Sequence, residues 1–151
     1  MQVTHDSRSA LSRARFFLDL AQSSPMAARV EFEAFLEASI VFARAAVHRL
    51  KAKHEKHPAW KQWWTSLSGN PAVEFFRVER DWLLKEAPPR IGQKIFAPFI
   101  GPGGTGEPGY TPEKADEFYF FDDPGTPATV TVARHLDAIA TLLADADRRF
   151  T

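Results

Sequence analysis

The residues best suited to chemistry lie in one run, Arg80-Asp81-Trp82-Leu83-Leu84-Lys85. An arginine offers a planar fork of donors that matches two oxygens of a phosphate, and a lysine offers a mobile point charge. Asp81 works against both, because a carboxylate beside Arg80 repels an anion and occupies the guanidinium. Lysine ionises near ~10.4 when unperturbed, so Lys85 stays charged at neutral pH and serves poorly as a base. Arg80, Asp81 and Lys85 therefore make a candidate contact for an anion or RNA rather than a catalytic set. The bland alternative is that they form surface or inter-helix ion pairs of small energetic weight.

Other constellations are weaker. Arg49-Leu50-Lys51-Ala52-Lys53-His54 places an imidazole a helical turn or more after an arginine, and reads otherwise as a solvated basic helix end. His54-Glu55-Lys56-His57 invites a metal reading, but its histidines are one residue too close for the helical zinc pattern. His48 does not complete it, because six residues put His48 and His54 on different sides of a helix. No metal site and no cofactor is expected. Trp60, Trp63 and Trp64, interleaved with Arg49, Lys51, Lys53, Lys56 and Lys61, suit single-stranded RNA by stacking and charge. The same tryptophans suit a core. The stretch Gly101 to Gly109 lacks the ending of a phosphate loop and reads as a mobile connection. Cysteine is absent, which excludes disulfides and thiolate chemistry.

These residues are carried by elements whose spacing is legible. Asp6 or Ser7 caps a helix over 7–22 with Leu11, Ala14, Phe17, Leu18 and Ala21 on one side. A long helix is predicted over 25–56, opened by Pro25, with Phe32, Leu36, Ile40, Ala43, Val47 and Leu50 as its stripe. A short helix near 59–66 is closed by Gly69. Asn70-Pro71 caps a helix over 71–86 whose apolar side is Val73, Phe76 and Leu83. Strands are expected in 90–100 and 117–123, with a turn at Asp123-Pro124-Gly125. A last helix covers 130–150, with Val132, Leu136, Ile139 and Leu143 inward. The expected fold is mainly α: one domain over 1–151, an antiparallel bundle of about five helices. An irregular 87–129 insertion brings a small β-hairpin before the last helix.

The segments FEAFLEASIVFARAAVHRL and PAVEFFRVERDWLLKEAPP resemble the HEPN-like helical proteins of prokaryotes, over about Arg8 to Pro88. That resemblance implies a homodimer whose motif helices meet at a two-fold axis. In catalytic members it implies a metal-independent ribonuclease with an arginine followed some residues later by histidine. Arg80 matches, Asp81 stands where asparagine is usual, and Lys85 stands where histidine would be. The expected role is a non-catalytic binding or regulatory module with a protein or RNA partner. The alternative is a ribonuclease, for example the toxin component of a toxin–antitoxin pair.

Composition sets the outer limits. The chain has 151 residues, 44% hydrophobic and 13% aromatic, enough for a core. Lys+Arg and Asp+Glu are both 19, so a strongly basic nucleic-acid binder is not indicated by the total. The charges are unevenly spread, basic toward the start and acidic toward the end. No apolar run approaches the ~20 residues that span a bilayer, and the start lacks a signal-peptide pattern. A cytoplasmic protein without membrane contact is the expectation.

Overall fold

The computed structural model describes residues 6–24, 28–85, 90–94, 99–100, 106–107 and 118–151. Five helices hold the core: α1 (Ser7–Gln22), α2 (Arg29–His54), α3 (Trp60–Ser66), α4 (Pro71–Leu84) and α5 (Ala128–Phe150). Between α4 and α5 lie short strands β1 (Ile91–Gln93), β2 (Phe99–Ile100), β3 (Gly106–Glu107), β4 (Phe118–Phe120) and β5 (Asp123–Pro127). The expected mainly helical class holds, and the β element is larger than a hairpin. β1, β4 and β5 form an antiparallel sheet in the order β1-β4-β5, and β2 pairs with β3.

α1 begins where Asp6 accepts a hydrogen bond from the Ser9 N–H at 2.8 Å, which satisfies one of the free donors of the first turn. Its buried side is Ala10, Ala14, Leu18 and Ala21, with Leu11 and Phe17 half-buried. The small side chains let α1 lie close to α2. There the Ser39 hydroxyl donates to the Ala14 carbonyl at 2.7 Å. α1 runs antiparallel to α5, since Arg8 pairs with Asp147 and Arg15 with Asp137.

All six expected stripe residues of α2 are buried, from Phe32 to Leu50. Fully burying a Phe, Leu, Ile or Val side chain of this kind stabilises by about 1.5–3 kcal/mol. The helix ends at His54 rather than Lys56, and residues 55 and 56 turn toward α3. Pro25, expected to open it, lies outside the described residues.

Gly69, at φ +85, sits in the left-handed region that other residues avoid, and it separates α3 from α4. Asn70 then accepts from the N–H groups of Ala72 and Val73 at 3.1 and 3.2 Å, with Pro71 in the first turn. Of the expected inward side of α4, Val73, Phe76 and Leu83, only Phe76 is fully buried. The buried residues are Ala72, Phe76 and Glu79, with Val73 and Leu83 half-buried. The sequence hid this because one position of that face is a carboxylate. Burial pushes the Glu79 carboxyl up, Arg90 at 3.5 Å pulls it down, and Asp122 raises it further, so it lies above the ordinary value.

The sheet covers one end of the bundle. Phe118 stacks on Phe32 with ring centroids 4.1 Å apart, and Phe120 meets Phe75 edge-on at 5.4 Å. Arg29 of α2 donates to the Ile91 carbonyl at 3.1 Å and to the Gln93 side chain at 3.2 Å. The Tyr119 ring lies over Gly92, where a Cβ would come within 2.5 Å of it. Asp123-Pro124-Gly125 is not a turn but part of β5. The chain reverses at Phe121-Asp122, because Phe120 pairs with Asp123. Prolines are tolerated there because β5 is an edge strand. α5 starts at Ala128, two residues before the expected Val130. Among the described residues no helix is long and apolar enough to cross a membrane.

Candidate functional site: a cationic cluster between α2 and α4

Along α2, Arg44, His48 and Lys51 each follow a buried stripe residue, Ala43, Val47 and Leu50. Along α4, Arg77 and Arg80 likewise follow the buried Phe76 and Glu79. The shared offset puts polar side chains of both helices on the rim of one packing seam. Across it Asp81, Arg80, Arg77 and Glu74 act electrostatically on Arg44, and Arg80 and Asp81 act on His48.

The members differ in how well they are satisfied. Arg77 is fully engaged. It donates twice to the Glu74 carboxylate, once at 3.1 Å and once more closely, and lies 3.4 Å from Asp81. Arg80 approaches Asp81 only at 3.9 Å, at the edge of ion-pair distance. Arg44 has a buried Nε with no acceptor among the described residues. Desolvation pulls the Arg44 guanidinium below its ordinary value; Asp81 and Glu74 raise it, and Arg80 and Arg77 lower it. An unmatched buried donor of this kind costs about 1–3 kcal/mol.

His48 stands at the exposed border of the cluster. Partial burial, then the charges of Arg44, Arg80 and Lys51, push its imidazole below the usual value, against a smaller opposing pull from Asp81. It is therefore held neutral near pH 7, able to accept a proton or a hydrogen bond.

Two of the three sequence-predicted site residues, Arg80 and Asp81, belong to this cluster. Lys85 does not: it is exposed at the C-terminal boundary of α4, its N–H bonded to the Trp82 carbonyl at 3.2 Å. The charges acting on Arg44 come from Asp81, Arg80, Arg77 and Glu74 of α4, and those acting on His48 from Arg44 and Lys51 of α2 and Arg80 and Asp81 of α4. Sequence reasoning missed Arg44 and His48. The available signal was their i,i+4 spacing on one flank of the long stripe.

The second Arg-to-His run has a different fate from the solvated end expected. His54 is 6% exposed, between Trp60 and Phe150 at centroid distances of 6.2 and 5.5 Å. Its Nε2 lies 3.3 Å from Asp147, which also takes Arg8 at 2.9 Å and Lys53 at 3.7 Å. Burial pushes the Asp147 carboxyl up, but bonds from Arg8 and His54 and the charge of Lys53 outweigh it and leave it below the ordinary range. His48 and His54 do face different sides. Among the described residues no group of three or more metal-ligating side chains is assembled.

The tryptophans divide between core and surface. Trp60 is buried and stacks on Trp64 at 5.3 Å, with Lys51 6.0 Å from the Trp64 ring. Trp63 donates to Asp145 at 3.2 Å and lines an open groove of about 620 Å³ with Leu67, Arg149 and Phe150. Of the glycine-rich stretch, only Gly106–Glu107 is described, paired with β2. No protein-family model, curated protein or solved structure matches this chain.

Proposed function

We propose that this chain is a HEPN-like helical protein acting as a non-catalytic binding or regulatory module, a homodimer that holds an RNA partner at the α2–α4 cluster. The observation that carries this reading is Arg44, whose buried Nε has no acceptor among the described residues while Arg80 is only loosely paired. Donors left open among like charges favour a phosphate oxygen. The dimer is supported by exposed apolar surface near the end of α4, where Leu84 is 64% and Trp82 37% exposed.

A second reading has one observation in its favour. His48, within the field of Arg80, is an imidazole whose pKa burial and neighbouring cations hold below the usual value. Under it the protein is a metal-independent ribonuclease, as in the toxin of a toxin–antitoxin pair, with His48 taking the proton of the attacking 2′-hydroxyl.

One experiment separates the two. Purified wild type, Arg80→Ala, His48→Ala and Lys85→His are mixed with a heterogeneous RNA without metal. Binding is read by fluorescence anisotropy and cleavage by gel, with light scattering for assembly. The expected result is salt-sensitive binding that Arg80→Ala weakens, no cleavage by wild type, and a mass twice 17.0 kDa. Cleavage by wild type that His48→Ala abolishes installs the ribonuclease instead. Absence of RNA binding by wild type removes the RNA reading.

A further inference from the structure

The cluster has a charge and a distribution of donors that narrow its ligand further than RNA in general. Around Arg44 and His48 stand four cations, Arg44, Lys51, Arg77 and Arg80, and two carboxylates, Glu74 and Asp81. Four minus two leaves a surplus of two positive charges, which a phosphodiester with its single charge does not cancel. A terminal phosphate carries close to two charges at neutral pH and three acceptor oxygens.

The donors are also divided in a telling way. Arg77 is tied down by Glu74 and Asp81, so its own donors are taken up. That leaves Arg44, whose Nε has no acceptor among the described residues, and Arg80, which approaches Asp81 only at 3.9 Å, as the guanidinium groups with donors to spare for a shared oxyanion. His48 lies within the field of both. We propose that Arg44, Arg80 and His48 form a subsite for a single terminal phosphate monoester, carried by a free nucleotide or by the end of an RNA strand. This rests on the anion-binding reading above and assigns its ligand class.

The chemistry couples binding to a proton. In the empty site His48 faces Arg44 and Lys51 from its own helix and Arg80 and Asp81 from α4; partial burial first, then the three cations, hold its pKa below the usual value. A bound dianion reverses the local sign, so the imidazole takes up a proton and becomes a further donor. Binding therefore strengthens as pH falls from 8 toward 6.5. It weakens again once the phosphate itself gains a proton, near ~6. Asp81 opposes the ligand throughout, and its removal tightens the site.

The probe is inorganic phosphate, followed by the His48 imidazole NMR signals of the full chain across pH 5.5–8.5. The expected result is a saturable shift and a rise in the His48 pKa when phosphate is present. Arg44→Gln or Arg80→Gln weakens phosphate binding by about tenfold, the loss of one charge-assisted contact. Asp81→Asn tightens it. Arg44→Lys, which keeps the charge and loses the fork, restores it only in part, and circular dichroism confirms that each variant is folded. AMP, a 5′-phosphorylated oligonucleotide and its 5′-hydroxyl counterpart then separate free nucleotide from strand end. A His48 signal indifferent to phosphate, or phosphate affinity unchanged in Arg44→Gln, overturns the subsite. If both oligonucleotides bind equally, RNA binding stands and the terminal-phosphate assignment falls. If phosphate binds at His48 but no RNA binds, the subsite stands and the RNA reading falls.

Discussion

Two places in this fold gather arginine, lysine and histidine around a carboxylate, and they use them oppositely. At the junction of α1, α2 and α5, Asp147 is the hub: Arg8, Lys53 and His54 converge on it. At the α2–α4 seam the cations outnumber the carboxylates, and one guanidinium nitrogen has no acceptor among the described residues. His54 and His48 sit on the same helix, yet one is sealed beneath aromatic rings and the other stands at an exposed rim. The residue types are alike, and what separates a fastener from an open site is whether the hydrogen-bonding capacity is used up.

Substitution at the two hub acids gives the largest contrast. Asp147→Asn is expected to cost about 2 kcal/mol in denaturant unfolding at pH 7, because it removes the charge that holds two cations and weakens the acceptor of a buried imidazole. Asp81→Asn should change stability by less than about 0.5 kcal/mol, as is usual for an exposed position. Equal effects would dissolve the distinction. The Asp147 contribution also has a defined pH window. Its folded pKa lies below the unfolded value of ~3.9, so the stabilisation is present above that value and is lost as pH falls through the folded pKa. The difference between wild type and Asp147→Asn should therefore shrink below pH 4.

A smaller effect is expected from His135, which belongs to neither cluster. It stacks on Phe75 at 4.2 Å, and burial holds its pKa below the usual value. For an imidazole shifted downward, the neutral form is favoured by folding. The contribution is complete above ~6.5 and is lost as pH falls below it. Acidification from pH 7.5 to 5.5 should lower the melting temperature, and His135→Phe should flatten that slope. An unchanged slope would assign the acid sensitivity to His48.

The smallest and most diagnostic change is Arg44→Met. Replacing an unmatched, partly buried charge by an apolar side chain of similar length should leave stability unchanged or raise it by about 0.5 kcal/mol. The same variant should lose phosphate binding. A clear loss of stability would show that Arg44 is a structural member of the seam, and the two clusters would then be of one kind.

The sequence disclosed the helices well because their cores are regular. The stripe from Phe32 to Leu50 is buried at every expected position, and the Asp6 and Asn70 caps bond as their side chains suggest. It misled where one residue type can serve two purposes. Asp123-Pro124-Gly125 has turn composition, yet an edge strand asks nothing of proline's missing N–H. Glu79 broke the apolar pattern of α4, since a buried carboxylate is readable only once Arg90 is found beside it. The candidate site was half legible. Arg80 and Asp81 could be read along one helix, but Arg44 and His48 reach them across a packing seam, and pairings between helices leave no mark on local spacing.

The bond between Ser39 and Ala14 has a mechanical side. α1 meets α2 along alanines, with Ala10, Ala14 and Ala21 on one helix and Ala43 and Ala46 in step with Ser39 on the other. Beyond the Phe17–Phe42 stack at 5.7 Å, such a track offers few large side chains to lock one helix against the other. The Ser39 hydroxyl acts as a detent. Any creep strands it in a dry groove, away from the one carbonyl that accepts it at 2.7 Å. α1 thus has a single resting position, and the reach of Arg8 and Arg15 to α5 is indexed by that notch. A pull on the N-terminal end of the chain would load this hydrogen bond in shear before it disturbed any large side chain of the core.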